Sequence, residues 1–138
     1  MNPRTSDLLA YGLLAVSALA GLLVWSSLPD TMAIHFGISG EPDRFVPKPL
    51  AVVLAPAIGV AGVLVTRYAP ARFGGTHGPP AVEHATVVFI SGTVAYLQGF
   101  VLAWNLGHRV GSNAILVPVL LAAAALAGYA YRQGESAA

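Results

Sequence analysis

The sequence predicts an all-α fold, an integral membrane four-helix bundle with a structured loop between its first and second helices. Three observations carry that prediction. Apolar residues make up 56% of the chain and charged residues 9%, where a soluble domain carries about a quarter charged. The charges are also confined: none lies between Leu8 and Leu28, Pro49 and Thr66, Ala85 and Leu106, or Ser112 and Tyr131. Each of these windows is about 18 to 22 residues long, roughly 27 to 33 Å of helix and so the thickness of a hydrocarbon core. A charge at a helix centre costs roughly 3 kcal/mol, and a Leu or Val returns at most about 0.6 kcal/mol. Four clean windows in one 138-residue chain therefore point to lipid.

The first span is expected over residues 8–28, with Tyr11 and Trp25 at headgroup level and Leu28-Pro29-Asp30 as its stop. Arg4, the apolar run and Ala18-Leu19-Ala20 imitate a signal peptide with its cleavage site. Gly21 to Trp25 extends the run to a full span, so a retained helix is the expectation. The second span, 49–66, opens on Pro49, a residue tolerated in a first helical turn. Pro56 inside it should kink it. The third span covers 85–106, and the fourth covers 112–131 after the capping pair Ser112-Asn113. Residues 1–138 are read as a single transmembrane domain without internal repeats.

With four spans, both termini and the Gly/Pro-rich second loop share one side. That side holds Arg4, Arg67, Arg72 and Arg132; the other holds Arg44, Lys48 and Arg109. The excess favours a cell-membrane protein with cytoplasmic termini and extracellular first and third loops. Small residues recur every four positions at Ser91, Ala95, Gly99, Ala103 and Gly107, and again at Ala51, Ala55 and Gly59. That spacing lets helix backbones approach closely in lipid, within the bundle or at a homo-oligomer seam. The expectation is packing inside the bundle, because four helices must pack against something.

The loop 29–48 holds Asp30, Glu41, Asp43, Arg44 and Lys48, five of the chain's seven basic and six acidic side chains. Met32, Ile34 and Phe36 alternate with Ala33 and His35, the period of a half-buried strand. Ser39-Gly40 signals a turn, Glu41 precedes Pro42 and must be extended, and Phe45-Val46 suits a second short strand. A hairpin-like cap is expected, bringing His35, Glu41, Asp43, Arg44 and Lys48 near one another.

Leu28, Pro29, His35, Phe36, Gly40, Asp43 and Lys48, followed by an apolar helix carrying Pro56, form the pattern on which a family resemblance rests. Over roughly residues 25–68, the chain resembles the domain of unknown function at the N-terminus of the SdpI family, bacterial membrane proteins of toxin immunity and signalling. The resemblance implies a multi-pass protein that protects against a secreted peptide toxin and relays its presence to a repressor.

Several readings of the loop stand beside this one. In the leading structural reading, Asp43 pairs with Lys48 or Arg44, and His35 caps backbone groups. The loop could instead be a recognition surface, with His35, Phe36, Gly40, Glu41, Asp43, Arg44 and Lys48 as its motif residues. A third reading has His35, Glu41 and Asp43, with His108 from the third loop, ligating a metal, although no diagnostic spacing such as His-Glu-x-x-His is present. His77 and the Glu83-His84 pair fall in the second loop, where solvated histidines are expected.

Gln98, with Ser91, Thr93 and Tyr96, is polar at membrane depth, and an interhelical hydrogen bond is the expected role. No span holds Asp, Glu, Lys or Arg, so the usual parts of an ion-coupled transporter are lacking. The absence of cysteine removes disulfides and thiolate chemistry, and a net charge of +1 implies no nucleic-acid partner. No pattern suggests an enzyme or a cofactor. The lipid bilayer is the expected partner, with a peptide toxin or another membrane protein as candidates. The functional expectation is SdpI-like immunity or sensing; the alternatives are an accessory membrane subunit and a small metal-binding protein or enzyme.

Overall fold

The computed structural model describes residues 1–72 and 78–136. Its order is α1 (Pro3–Leu23), a short 3-10 turn (Trp25–Ser27), β1 (Thr31–Phe36), β2 (Pro42–Pro47), α2 (Lys48–Arg72), α3 (Pro80–Asn105) and α4 (Asn113–Ser136). All 4 helices are long and apolar enough to cross a membrane. The all-α membrane bundle is thus observed, with a small two-stranded sheet as the structured loop.

The helices extend beyond most of the charge-free windows, and local chemistry explains where they end. The Asn2 side chain accepts from Thr5 N–H at 2.8 Å, and Pro3 occupies the first turn. This cap starts α1 before the expected Leu8 and draws Arg4 and Asp7 into it. At its other end α1 stops at Leu23, not Leu28, where Val24 N–H turns back to Ala20 and Leu22 carbonyls. Likewise α2 continues past Thr66 to include Arg67, and α3 begins at Pro80 and so includes Glu83 and His84. The charge-free windows stand, and the charged residues gained lie in the helix turns outside them. Helices can reach past the hydrocarbon core, and their terminal turns carry charge at the interface. His77 lies outside the described residues, as does the side chain of Arg72.

Three helices form the core, and α4 flanks it. Near one end Ala10 and Leu14 of α1, Val63 of α2 and Val87 of α3 pack together. Nearer the hairpin, Leu28, Met32, Ala51, Val52 and Leu102 form a second cluster. Gly59 permits this close approach: a Cβ there would collide with Leu14 Cδ2 and stand 3.2 Å from Val94 Cγ1. Gly21 plays the same part, since a Cβ there would stand 2.6 Å from Val52 Cγ1. The α3 strip behaves differently from the expectation of a packing seam. A Cβ on Gly99 would meet nothing within 4 Å. Gly107 lies beyond α3 with φ of 93°. It ends the helix, Gly107 N–H donating to Trp104 O and His108 N–H to Ala103 O, both at 2.9 Å. That six-to-one and five-to-two pair is a Schellman stop. Ala95 and Ala103 are half-buried.

Pro56 of α2 and Pro118 of α4 each leave a carbonyl without its helical donor. Pro56 has no N–H for Val52 O, and Pro118 has none for Ala114 O. In each case α3 supplies the missing donor. Gln98 Nε2 donates to Val52 O at 3.2 Å, and the Tyr96 hydroxyl donates to Ala114 O. Neighbouring helices commonly rescue proline gaps in membranes in this way. Gln98 thus makes the expected interhelical bond, and α2 runs through Pro56 as one helix.

At the end opposite the hairpin, the terminal turns of α1, α2 and α3 share one charged cluster. Arg67 Nη2 and Nε donate to Asp7 Oδ1 at 2.5 and 3.1 Å, and Nη1 donates to Glu83 Oε1 at 2.6 Å. Arg67 Nη2 also donates to Ser6 Oγ at 2.8 Å, and Nη1 lies 3.2 Å from His84 Nδ1. His84 is 7% exposed, which corrects the expectation of a solvated loop histidine. The terminal turn of α3 carries it inward against Ser6 and Arg67.

Candidate functional site

The other end of the bundle carries the hairpin. Gly40, at φ 84°, completes the turn from β1 to β2, with Gly40 N–H donating to Gly37 O and Gly37 N–H to Glu41 O, each at 2.9 Å. A left-handed residue is cheapest as glycine. Lys48 N–H donates to Asp30 O at 2.8 Å and closes the hairpin's base. The strands pair Thr31 with Pro47, Met32 with Val46, Ala33 with Phe45, His35 with Arg44 and Phe36 with Pro42. The two shifts in that register leave Ile34 and Asp43 unopposed. They are bulges, which bend strands and re-aim side chains.

Two contacts anchor the hairpin to α3. Ala33 N–H donates to Asn105 Oδ1 at 2.9 Å, and Asn105 Nδ2 donates to Ala33 O at 2.8 Å. Asn105 therefore serves the outer edge of β1 as a neighbouring strand would. Phe36 then packs edge-on against Phe100 and Trp104, with ring centroids 5.1 and 4.9 Å away. Arg109 from the third loop lies over the second of these partners, 5.4 Å from the Trp104 ring.

The structure separates residues that the sequence pattern groups. His35 Nδ1 and Asp43 Oδ1 meet at 2.5 Å, with both side chains more than half exposed. Lys48 lies at the hairpin's base: its ammonium is 3.4 Å from Asp30, donates to Trp25 O and sits over the Trp25 ring. The expected pairing of Asp43 with Lys48 or Arg44 is corrected, because the bulge turns Asp43 to His35. The expected capping of backbone groups by His35 gives way to the same pair. Glu41 sits at the turn, with Lys48 at the opposite end of the hairpin. Arg44 is exposed on β2. Among the described residues, no three His, Cys, Asp or Glu side chains converge on a possible metal position. Neither Glu41 nor His108 joins the His35–Asp43 pair in such a set.

Between the hairpin, α3 and the start of α4 lies an apolar cleft of about 490 Å³. Ile34, Phe36 and Ile38 form one wall, and Leu97, Phe100 and Val101 form the floor. Ile115 and Leu116 form the far wall, and His35 stands at the rim. Ile38 is 98% exposed at the hairpin tip. An apolar cleft with a few polar groups at its mouth suits the apolar side chains of a ligand. Sequence reasoning names His35, Phe36 and Asp43 but misses Asn105, Phe100 and Trp104. Trp104-Asn105 at the end of the third span is the available signal, since that end lies on the loop's side of the membrane.

These features define a multi-pass membrane protein with a hairpin cap over an apolar cleft. Residues 12–60, from α1 through the hairpin into α2, match a family described as "Domain of unknown function (DUF1648)". The chain is also similar to an "Uncharacterized protein" of Archaeoglobus fulgidus, 35% identical over 68 residues. That match covers 48% of this chain and 37% of the relative, so it spans just over a third of that protein's length. No solved structure matches.

Proposed function

We propose that this protein is an SdpI-like immunity or sensing protein that binds an apolar segment of an extracellular peptide toxin in the cleft beneath its hairpin. The cleft carries the reading: about 490 Å³ between hairpin, α3 and α4 is enough for several apolar side chains. The exposed His35–Asp43 pair beside it offers a carboxylate to a peptide's donors. Ile38, fully exposed on the tip, suits a ligand arriving along the membrane surface. Arginines at the far end favour cytoplasmic termini and an extracellular hairpin. The role is binding, with no catalytic step. Sensitive bacteria with and without the chain, challenged with a secreted membrane-active peptide toxin, test it. Protection that Phe36→Ala abolishes is expected; equal survival in both strains overturns it.

A second reading, an accessory membrane subunit, has its own observation. An apolar groove of about 440 Å³ runs between α1 and α2, lined from Tyr11 to Leu22 and from Val52 to Val60. Mass measurement in mild detergent tests it, and a lone monomer counts against it.

A further inference from the structure

The two proline gaps differ in what surrounds them. At Pro56 the freed Val52 carbonyl and its donor Gln98 belong to residues 2% and 1% exposed, and α2 packs against both α1 and α3. There the bond is enclosed between helices, although the groove of about 440 Å³ between α1 and α2 borders Pro56 on its outer side. At Pro118 the setting is open. Among the described elements α4 packs against α3 alone, and none of its membrane-length window is buried. A space of about 250 Å³, lined by Phe89, Gly92, Tyr96 and Pro118 among others, lies beside the gap. The chain enters α4 through the glycines at 107 and 111, and the turn ahead of Pro118 is held at its start by Ala114 N–H on Gly111 O and by Ile115 and Leu116 N–H on Ser112 O. That turn, residues 113–117, supplies Ile115 and Leu116, the far wall of the cleft. The Tyr96 hydroxyl on Ala114 O holds it.

We propose that the first turn of α4 is a gate on the cleft, hinged at Pro118 and latched by Tyr96. This inference rests on the reading of the cleft as a binding site. With the latch made, Ile115 and Leu116 stand opposite the hairpin. With it broken, the turn swings about the proline, and Ala114 O meets water at the headgroup level. Pro118 is what makes the latch necessary, because any other residue there would donate its own N–H to Ala114 O. Tyr96 is a positioning residue, and the cleft's occupant need not touch it.

The chain has no cysteine, so spin-label pairs can be placed freely. One pair, Ser39→Cys with Val117→Cys, spans the cleft ahead of the hinge. A second, Ser39→Cys with Leu121→Cys, reaches beyond it. Distances are measured by double electron–electron resonance in lipid nanodiscs. In Tyr96→Phe the first pair is expected to gain a longer-distance population. Its ratio to the closed population should rise about threefold to twentyfold, the loss of one interhelical hydrogen bond in a membrane. The second pair should not change. Adding Pro118→Ala to Tyr96→Phe restores a backbone donor and should return the closed distribution. An unchanged first pair in Tyr96→Phe, or both pairs shifting together, overturns the gate. So does failure of Pro118→Ala to restore closure. These distances are read without toxin, so a gate that opens as described stands even where the survival test shows no protection.

Discussion

The two ends of the bundle solve the same problem with different chemistry. At one end Arg67 draws Asp7 and Glu83 together across three helices, with its side chain 12% exposed. At the other, the hairpin is held by Asn105 and an aromatic cluster, while its own His35–Asp43 pair stays open to solvent. Charge-assisted bonds strengthen as water is excluded, so the Arg67 end acts as a clamp. A neutral amide and edge-on aromatic contacts fix the hairpin while leaving its polar pair accessible. On the proposed function, the contrast separates a structural end from a recognising one.

The largest expected effect comes from breaking the clamp. Arg67→Ala removes the cation that Glu83 and Asp7 share and should cost about 2 to 3 kcal/mol, the loss of charge-assisted hydrogen bonds in a partly buried cluster. Unfolding in mixed micelles measures it. Arg67→Lys should recover only part, because an ammonium cannot present the guanidinium's fork to two carboxylates and Ser6 at once.

Asn105→Ala tests the hairpin's anchor. It strips both bonds from Ala33 and should cost about 1 to 3 kcal/mol, concentrated locally. Faster hydrogen exchange over residues 31–36, with the Arg67 end unchanged, is the expected signature.

Gln98→Leu, between the two ends, orphans Val52 O and should cost about 0.6 to 1.7 kcal/mol. Combined with Pro56→Ala the cost should shrink, because a backbone N–H then reaches that carbonyl. A double-mutant cycle measures the coupling, and strict additivity would refute the assignment of Gln98 to the proline gap.

The smallest effect is expected at His35→Ala. An exposed pair contributes at most about 1 kcal/mol, so folding should be little changed, and metal content should match that of the parent chain by elemental analysis. If the cleft is the recognition site, ligand affinity should still fall. Selective loss of binding there, set against the loss of folding at Arg67, would sharpen the difference between the two ends.

Much of the candidate site is legible in the sequence. The turn at Gly40, the two strands and the involvement of His35, Phe36 and Asp43 follow from local patterns: a period-two alternation, a turn dipeptide and a residue held extended before proline. What escapes is pairing. Opposite charges close in sequence are the nearest candidates, which points Asp43 to Lys48 or Arg44; bulges that no local pattern encodes turn it to His35. Glu83 and His84 look like loop residues when the edge of a charge-free window is taken for the edge of a helix. The same edges hold the clue. Asp7, Arg67 and Glu83 each flank a charge-free window, and alternate window edges must meet in an up-and-down bundle.

The sequence by itself determined that this chain spans a membrane four times and that a hairpin interrupts the first pair of spans. Both follow from local composition, since a charge in hydrocarbon is costly wherever the helices pack. Only the tertiary structure decided which face of each helix turns inward. In lipid the outward faces are as apolar as the inward ones, so hydropathy carries almost no record of rotation. The inward faces became readable through polar partners far apart in the chain. Arg67 meets Asp7 across 60 positions and Asn105 meets Ala33 across 72. Gln98 and Tyr96 reach the carbonyls that two prolines set free.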